Sequence, residues 1–316
     1  MLKRVWAELF FSCGSALLDV GHPRLALWHL ARAARVEASN PDYLYAAALA
    51  ASRAGDRNRA AHFCDLALEV APEFSAALEL LEGLFLYGEN YFLVLERLHR
   101  HLRPRTYVEI GVATGASLRF VQPGTAAFGV DPKPEIIFPL PEGARVFAET
   151  SDEFFTSHDV RALLGGLPVD LALIDGMHQF EYALRDFMNL EQLCGPESTI
   201  LIHDCFPRDR LTARRERVTS FWSGDIWRLV VLLKKYRPDL SIHTIATPPT
   251  GLGMVRGLDP SSSFLRENFQ RLCEEFLALD YGWHEKDRAA ELNLFPNDWG
   301  KIRALLLPPF RAHRSS

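Results

Sequence analysis

Residues 103–120, RPRTYVEIGVATGASLRF, mark the point where the chain changes rhythm. Upstream, the sequence is rich in Ala and Leu and lacks β-branched runs. Downstream, β-branched runs alternate with helical stretches, the pattern of a parallel sheet with helices on both faces. An α/β domain is therefore expected to follow an all-α one.

Working outward to the C-terminal side, strands are expected near 106–110, 126–130, 144–148, 170–174, 198–203, 241–246 and 251–256. Helical stretches fall near 115–121, 152–164, 177–193 and 224–236. The last two strand candidates, LSIHTIA and GLGMVRG, are joined only by TPPT. That connection is too short for a parallel crossover, so these strands should pair antiparallel. The expectation for residues 96–260 is a Rossmann-like sheet of five parallel strands closed by an antiparallel terminal hairpin.

To the N-terminal side, residues 1–95 repeat themselves. Gly21, Ala26 and Ala33 recur as Gly55, Ala60 and Ala67, each 34 positions on, the period of tetratricopeptide helix pairs. Small residues suit close helix crossings, the glycines fall in turns within pairs, and Pro41 and Pro72 separate the pairs. The segment SAALELLEGLFLYGENYFLVLERLHRHL keeps the helical period without the small-residue signature and reads as a degenerate capping pair. So short an array is either a shield for the next domain or a small concave surface for a protein partner. Residues 261–316 read as a C-terminal helical extension, opening with a serine cap and the apolar positions Phe264, Phe269, Leu272 and Phe276, suited to packing or dimer contact.

Composition narrows the function classes. The 316 residues are 48% hydrophobic and 24% charged, ordinary globular values. With 35 Lys+Arg against 40 Asp+Glu and no long block of like charge, nucleic acid is not an expected partner. Cys13, Cys64, Cys194, Cys205 and Cys273 are scattered, without the close pairs of zinc or thiol-redox sites, which fits a reducing compartment. The opening MLKRVWAELFFSCGSALL raises a signal peptide or a lipid-modified Cys13, but Glu8 interrupts its apolar run. A cytoplasmic protein without a membrane span is the expectation.

In an open α/β sheet, ligands bind beyond the carboxyl ends of the strands. Here the first strand ends in Glu109-Ile-Gly111-Val-Ala-Thr-Gly115-Ala-Ser117, where glycines let the backbone approach a ligand. The second ends FGVDP, placing Asp131 about twenty residues on, where an acid can accept hydrogen bonds from ribose hydroxyls. The third ends VFAETSDEFF, in which Ser151 or Asp152 either meets an adenine amino group or caps a helix from Glu153. This combination resembles the class I S-adenosylmethionine-dependent methyltransferases over roughly residues 100–260. More narrowly, LALIDGMHQFEYALRDF followed by ILIHDC is similar to a subgroup related to small-molecule and sugar O-methyltransferases. The resemblance implies methionine contacts near Glu109, Gly111 and Gly115, with Ser117 at the start of the next helix, and the cofactor ribose on Asp131. A dinucleotide-binding dehydrogenase would want a tighter Gly-x-Gly-x-x-Gly than Gly111 and Gly115 supply.

Asp175 and Asp204 end the fourth and fifth strands, so both carboxylates can point into one cleft and hold a divalent cation such as Mg²⁺. Metal-dependent relatives usually carry another acid or Asn after the second acid. This chain has Cys205, a poor ligand for a hard cation, so His203 or His178 would have to supply the third donor. The alternative is metal-free catalysis with His178 as general base beside Asp175 and Asp204. His203 should face away from Asp204 by strand alternation and serve a structural role. In the long connection after the fifth strand, Arg208, Arg210, Arg214, Arg215 and Arg217 can bind an acidic substrate or form a solvated loop. Ser223 or Asp225 should cap the helix that follows, with Trp227 and Leu229 packed inward, and Asp225 can also reach the cleft. Met177, Phe180, Leu184, Phe187 and Met188 should pack on the sheet, with Glu181 and Arg185 as an outer ion pair. The expected activity is methyl transfer to a hydroxyl of a small polar or sugar-like acceptor. The rivals are a related oxidative enzyme of the same fold and a non-catalytic repeat protein with a relic cofactor fold.

Overall fold

The change of rhythm at residue 103 is the physical border between a helical array and a sheet. The computed structural model describes residues 2–282 and 287–307. Six helices come first: α1 (Leu2–Asp19), α2 (Pro23–Val36), α3 (Pro41–Arg53), α4 (Arg57–Val70), α5 (Ser75–Phe85) and α6 (Tyr91–Leu102). Asn40, Asp56 and Asn90 accept hydrogen bonds from first-turn N–H groups of α3, α4 and α6, so these starts are encoded locally. Ala26, Ala33, Ala60 and Ala67 are all fully buried, and Gly21 and Gly55 lie in the α1–α2 and α3–α4 turns. Position 95 falls inside α6. No described helix is long and apolar enough to cross a membrane.

The sheet contains β1 (Thr106–Ile110), β2 (Ala126–Val130), β3 (Ala144–Phe147), β4 (Val169–Ile174), β5 (Cys194–His203), β6 (Ser241–Ile245), β7 (Leu252–Arg256) and β8 (Leu294–Phe295). Their order is β3-β2-β1-β4-β5-β7-β6-β8. Strands β1 to β5 run parallel, and β7 is antiparallel to both β5 and β6, as the short TPPT connection requires. The remaining helices are α7 (Ser151–Ser157), α8 (Val160–Leu163), α9 (Phe180–Glu191), α10 (Trp227–Tyr236), α11 (Phe264–Glu267), α12 (Phe269–Leu277), α13 (Arg288–Glu291) and α14 (Trp299–Leu305). Strand alternation divides the core in two. Val108, Ile110, Ala172 and Ile202 face α9 and α10, whereas Tyr107, Leu171, Leu173 and Leu201 face α6 and α14. Helix α6 therefore covers the sheet rather than closing the array.

Several local expectations are corrected. The helix expected at 115–121 shrinks to one 3-10 turn, Leu118–Phe120. The Thr114 carbonyl, which would accept the first bond of such a helix, instead accepts the N–H groups of Ile137 and Phe138, and the neighbouring Ala113 carbonyl accepts that of Glu135. The stretch 152–164 divides into α7 and α8, and α7 begins at Ser151 because Thr150 and Glu153 form a reciprocal capping box. Asn268 separates α11 from α12. The C-terminal extension is not wholly helical: β8 adds parallel to β6, with Thr244 and Ala246 donating to Asn293 and Phe295. Two residues are too short a run to read from the sequence, and they protect an edge that would otherwise expose unpaired N–H groups.

The extension also ties back to the array. Arg288 in α13 and Asp65 in α4 form a buried ion pair of 2.6 Å. Asp65→Ala leaves the guanidinium buried without its partner and should cost about 3–5 kcal/mol. Thermal unfolding checks this, and the double variant Asp65→Ala/Arg288→Met should recover most of the loss.

Candidate functional site

Strand order reverses between β1 and β4, so their carboxyl ends open a crevice. Gly111 follows β1 with φ 89°, and a Cβ there would lie 2.0 Å from the Asp175 carbonyl oxygen. Only glycine lets the loop after β1 pass this close to the chain leaving β4. Beside that contact lies a cleft of about 440 Å³, bounded by Gly111, Asp131, Ser151, Asp175, His178 and Tyr182. The size suits a nucleoside-sized ligand, within the usual ~300–1,000 Å³ of small-molecule sites.

Of the expected cofactor contacts, Gly111, Asp131, Ser151, Asp152 and Asp175 line this cleft. Asp131 Oδ2 accepts the N–H groups of Val112 and Ala113 at 3.0 and 2.8 Å, and Oδ1 accepts that of Lys133 at 2.8 Å. The carboxylate thus shapes the glycine loop as well as facing the cleft, with acceptor capacity remaining for a ligand hydroxyl. Both oxygens of Asp152 accept from Arg185 at 2.7 and 2.9 Å.

Glu109, Gly115 and Ser117 do not line the cleft. By alternation Glu109 points to the face covered by α6, fully buried, where it accepts the Tyr107 hydroxyl at 2.7 Å and the Ser117 hydroxyl. Burial lifts its carboxyl to about 8, outweighing those two hydrogen bonds. Ser117 does precede the 3-10 turn Leu118–Phe120, but its hydroxyl is committed to Glu109 rather than capping that turn, and Gly115 lies in a turn against Ile136.

The acids and histidines after β4 and β5 converge. His178 Nδ1 lies 3.0 Å from Asp204 Oδ2 and 3.2 Å from the Trp222 carbonyl oxygen. Facing two acceptors, Nδ1 carries the ring proton in the neutral tautomer, which leaves Nε2 able to accept one. Nε2 lies 3.7 Å from Asp175 Oδ1, beyond hydrogen-bond range. Asp204 is buried and accepts the Thr250 hydroxyl at 2.6 Å.

His203 contradicts the alternation argument. Its Nδ1 lies 3.0 Å from Asp175 Oδ1 and 3.5 Å from Asp204 Oδ1. Asp204 has φ 59°, a left-handed kink that ends the strand and turns its side chain back toward His203. Burial alone would lower the His203 pKa, but the two carboxylates hold it well above the ordinary histidine value. The same histidines, with Thr250, hold Asp204 below the usual carboxylate range despite its burial. Cys205 stays apart: its thiol donates to the Ile202 carbonyl at 3.2 Å, and burial pushes its pKa up.

The connection after β5 seats His178. Gly224 has φ 65°, and a Cβ there would lie 1.7 Å from the His178 carbonyl oxygen, which accepts the Asp225 N–H at 3.2 Å. Trp222 stacks on the His178 ring at 5.4 Å. Asp225 does not cap its own helix with its side chain. Fully buried, it accepts the Phe180 N–H at 2.7 Å and so caps α9, 45 residues earlier, while pairing with Arg228 and Arg215. Trp227 and Leu229 pack inward as expected.

The arginines are mostly spoken for. Arg208 pairs with Glu82, Arg210 with Glu69 and Arg215 with Glu181, and Arg217 donates to the Ser220 carbonyl; Arg214 is exposed. The expected Glu181–Arg185 pair is replaced by Glu181–Arg215 and Arg185–Asp152, because the loop and α7 present better-placed partners. Met177 is exposed at the rim of the cleft instead of packing on the sheet, since α9 starts only at Phe180.

Residues 108–205, from β1 to just beyond β5, match the family described as "Methyltransferase domain". The chain carries a methyltransferase domain. Its match thus spans Gly111, Asp131, Asp175, His178, His203 and Asp204. No curated protein matches the chain in sequence. Among solved structures, the O-methyltransferase TomG from Streptomyces achromogenes, involved in tomaymycin synthesis and in complex with SAM, is 14% identical, covers 52% of this chain and 78% of its own, and has a TM-score of 0.39. The SAH-bound methyltransferase PaMTH1 of Podospora anserina is 13% identical, covers 52% and 76%, and has a TM-score of 0.40.

Two residues outside the methyltransferase domain match complete the cluster. Tyr91, the first residue of α6, stacks on His203 with ring centroids 3.9 Å apart, and Thr250 comes from the loop before β7. No local pattern marks either one.

Glu109 supplies a pH prediction. Its folded pKa of about 8 lies above the ordinary 4.5, so the unfolded chain ionises first as pH rises. The stability held by the protonated carboxyl is complete below about pH 4.5 and lost as pH rises through about 8. Unfolding midpoints measured across that window should fall in the wild type and stay flatter in Glu109→Gln, which should be the more stable of the two at pH 9.

Proposed function

We propose that the chain is an S-adenosylmethionine-dependent O-methyltransferase acting on a small polar or sugar-like acceptor, with His178 as the general base. The observation that carries this reading is the His178–Asp204 pair at the mouth of the cleft. Asp204 Oδ2 orients the ring through Nδ1 at 3.0 Å and leaves Nε2 to take a proton from an acceptor hydroxyl. S-adenosylmethionine, when bound, supplies an electrophilic methyl group. Asp131 would hold the ribose hydroxyls, Gly111 lets the backbone lie against the ligand, and Ser151 with Asp152 would border the base. Asp175 would lie between cofactor and acceptor, its charge balanced by His203. Trp222, stacked on His178, shields the base from water. The helical array ahead of this domain is assigned to the tetratricopeptide type, either covering the domain or offering a protein surface.

A second reading has one observation in its favour. A ligand atom from each of Asp175, His178 and Asp204 lies within 4.8 Å of the others, a set able to hold a divalent cation such as Mg²⁺. Such an ion would lower the acceptor hydroxyl pKa and orient it.

Calorimetry with S-adenosylmethionine tests the proposal: a folded sample that fails to bind millimolar cofactor overturns it in favour of a non-catalytic protein. Asp131→Ala should weaken cofactor binding at least tenfold, on the order of one to two lost hydrogen bonds. His178→Ala should leave cofactor affinity unchanged while turnover falls by about 10²–10⁴, the usual span for a general base. Turnover that survives chelation selects the metal-free reading, and turnover restored only by Mg²⁺ selects the other.

A further inference from the structure

One carboxylate oxygen in the cluster has two claimants. Asp175 Oδ1 lies 3.0 Å from His203 Nδ1 and 3.7 Å from His178 Nε2. The first distance is a hydrogen bond and the second falls outside hydrogen-bond range. A small swing of the carboxylate would reverse the two. An Nε2 engaged with Asp175 has no lone pair left for an acceptor hydroxyl. The reach of His178 toward a substrate therefore depends on His203 keeping Asp175.

What keeps His203 in place comes from outside the methyltransferase domain match. The Tyr91 ring lies over the His203 ring, with centroids 3.9 Å apart and planes 31° apart, and Phe92 stacks on Tyr91 at 4.2 Å. The start of α6 is in turn sewn to the loop before β7. The Tyr91 N–H donates to the Pro248 carbonyl at 3.2 Å, the Tyr87 N–H to the Ala246 carbonyl at 3.0 Å, and the Thr247 hydroxyl to the Glu89 carbonyl at 2.7 Å. The same loop carries Thr250, whose hydroxyl oxygen lies 3.4 Å from His203 Nε2 and donates to Asp204 at 2.6 Å. One ring nitrogen of His203 thus faces Asp175, the other faces Thr250, and Tyr91 sets the plane in which both point. The contact is ring on ring, so a phenylalanine can make it and an aliphatic chain cannot.

We propose that Tyr91 is a positioning residue for methyl transfer: its ring holds the plane of His203, His203 holds Asp175 Oδ1, and His178 Nε2 stays open to the acceptor. The inference rests on His178 being the base, and it gives α6, a helix ahead of the methyltransferase domain match, a part in the reaction.

Diethyl pyrocarbonate tests this on the full chain, because it acylates an imidazole nitrogen whose lone pair is free and requires no acceptor substrate. Labelling of the His178 peptide is followed by mass spectrometry, with a chelator present so that no cation covers Nε2. Exposed His22 serves as the internal reference, and circular dichroism confirms that each variant is folded. His178 should label readily in the wild type and in Tyr91→Phe. In Tyr91→Leu it should label at least about tenfold more slowly, the scale of one charge-assisted hydrogen bond. Adding Asp175→Ala to Tyr91→Leu should restore the rate. Should Tyr91→Leu not fold, Tyr91→Met keeps the bulk without the flat ring and carries the same expectation. A substitution that merely loosened the cleft would expose His178 and speed its labelling. An unchanged or faster rate in Tyr91→Leu therefore overturns the proposal, as does slowing in Tyr91→Phe, slowing that Asp175→Ala leaves in place, or an unreactive His178 in the wild type. All of these are read without cofactor, so they stand apart from calorimetry with S-adenosylmethionine, on which the proposed function depends.

Discussion

The candidate site depends on one buried carboxylate. Asp225 accepts the first N–H of α9 and pairs with Arg228 and Arg215, so it joins the connection after β5 to the helix that follows β4. That joint works with the Asp225 N–H bond to the His178 carbonyl to keep Gly224 against the chain at His178 and Trp222 on its ring. A helix N-terminus has unsatisfied donors and a partial positive charge, and a buried acid from elsewhere answers both. The cap is thus also a clamp on His178.

A second constraint lies beneath the first. Parallel pairing of β1 with β4 brings Gly111 onto the backbone of Asp175, setting both cleft walls in van der Waals contact. From there the left-handed turn at Asp204 draws the acid after β5 toward the acid after β4, with His203 between them. Two carboxylates so close would repel one another. His203 lies between them, and with Thr250 it holds Asp204 below the usual carboxylate range despite its burial.

The N-terminal helices touch this cluster. Helix α6 lays Val94, Leu95 and Leu98 on the sheet and delivers Tyr91 to His203. Farther out, Glu69 and Glu82 hold the arginines of the long connection. The array is therefore part of the wall behind the cleft, and those arginines are engaged in docking it.

The sequence by itself determined the seven main strands with their parallel or antiparallel sense and the longer helices. Period, turn composition and connection length are local properties: TPPT could only join an antiparallel pair, and strand ends had to present Gly111, Asp131, Asp175 and Asp204 along one edge. What it could not carry was anything set by one torsion or by distant contacts. His203 was misread because period-2 alternation holds only while the strand continues, and Asp204 leaves it. Glu109 lies at the cleft end of its strand, but strand alternation turns its side chain to the α6 face, where it accepts the hydroxyls of Tyr107 and Ser117. Tyr91, Thr250 and the capping role of Asp225 come from segments far apart in the chain, and Glu181 and Arg185 exchanged each other for partners more than thirty residues away. Local spacing chose the residues, and burial and long-range packing decided which of them touch.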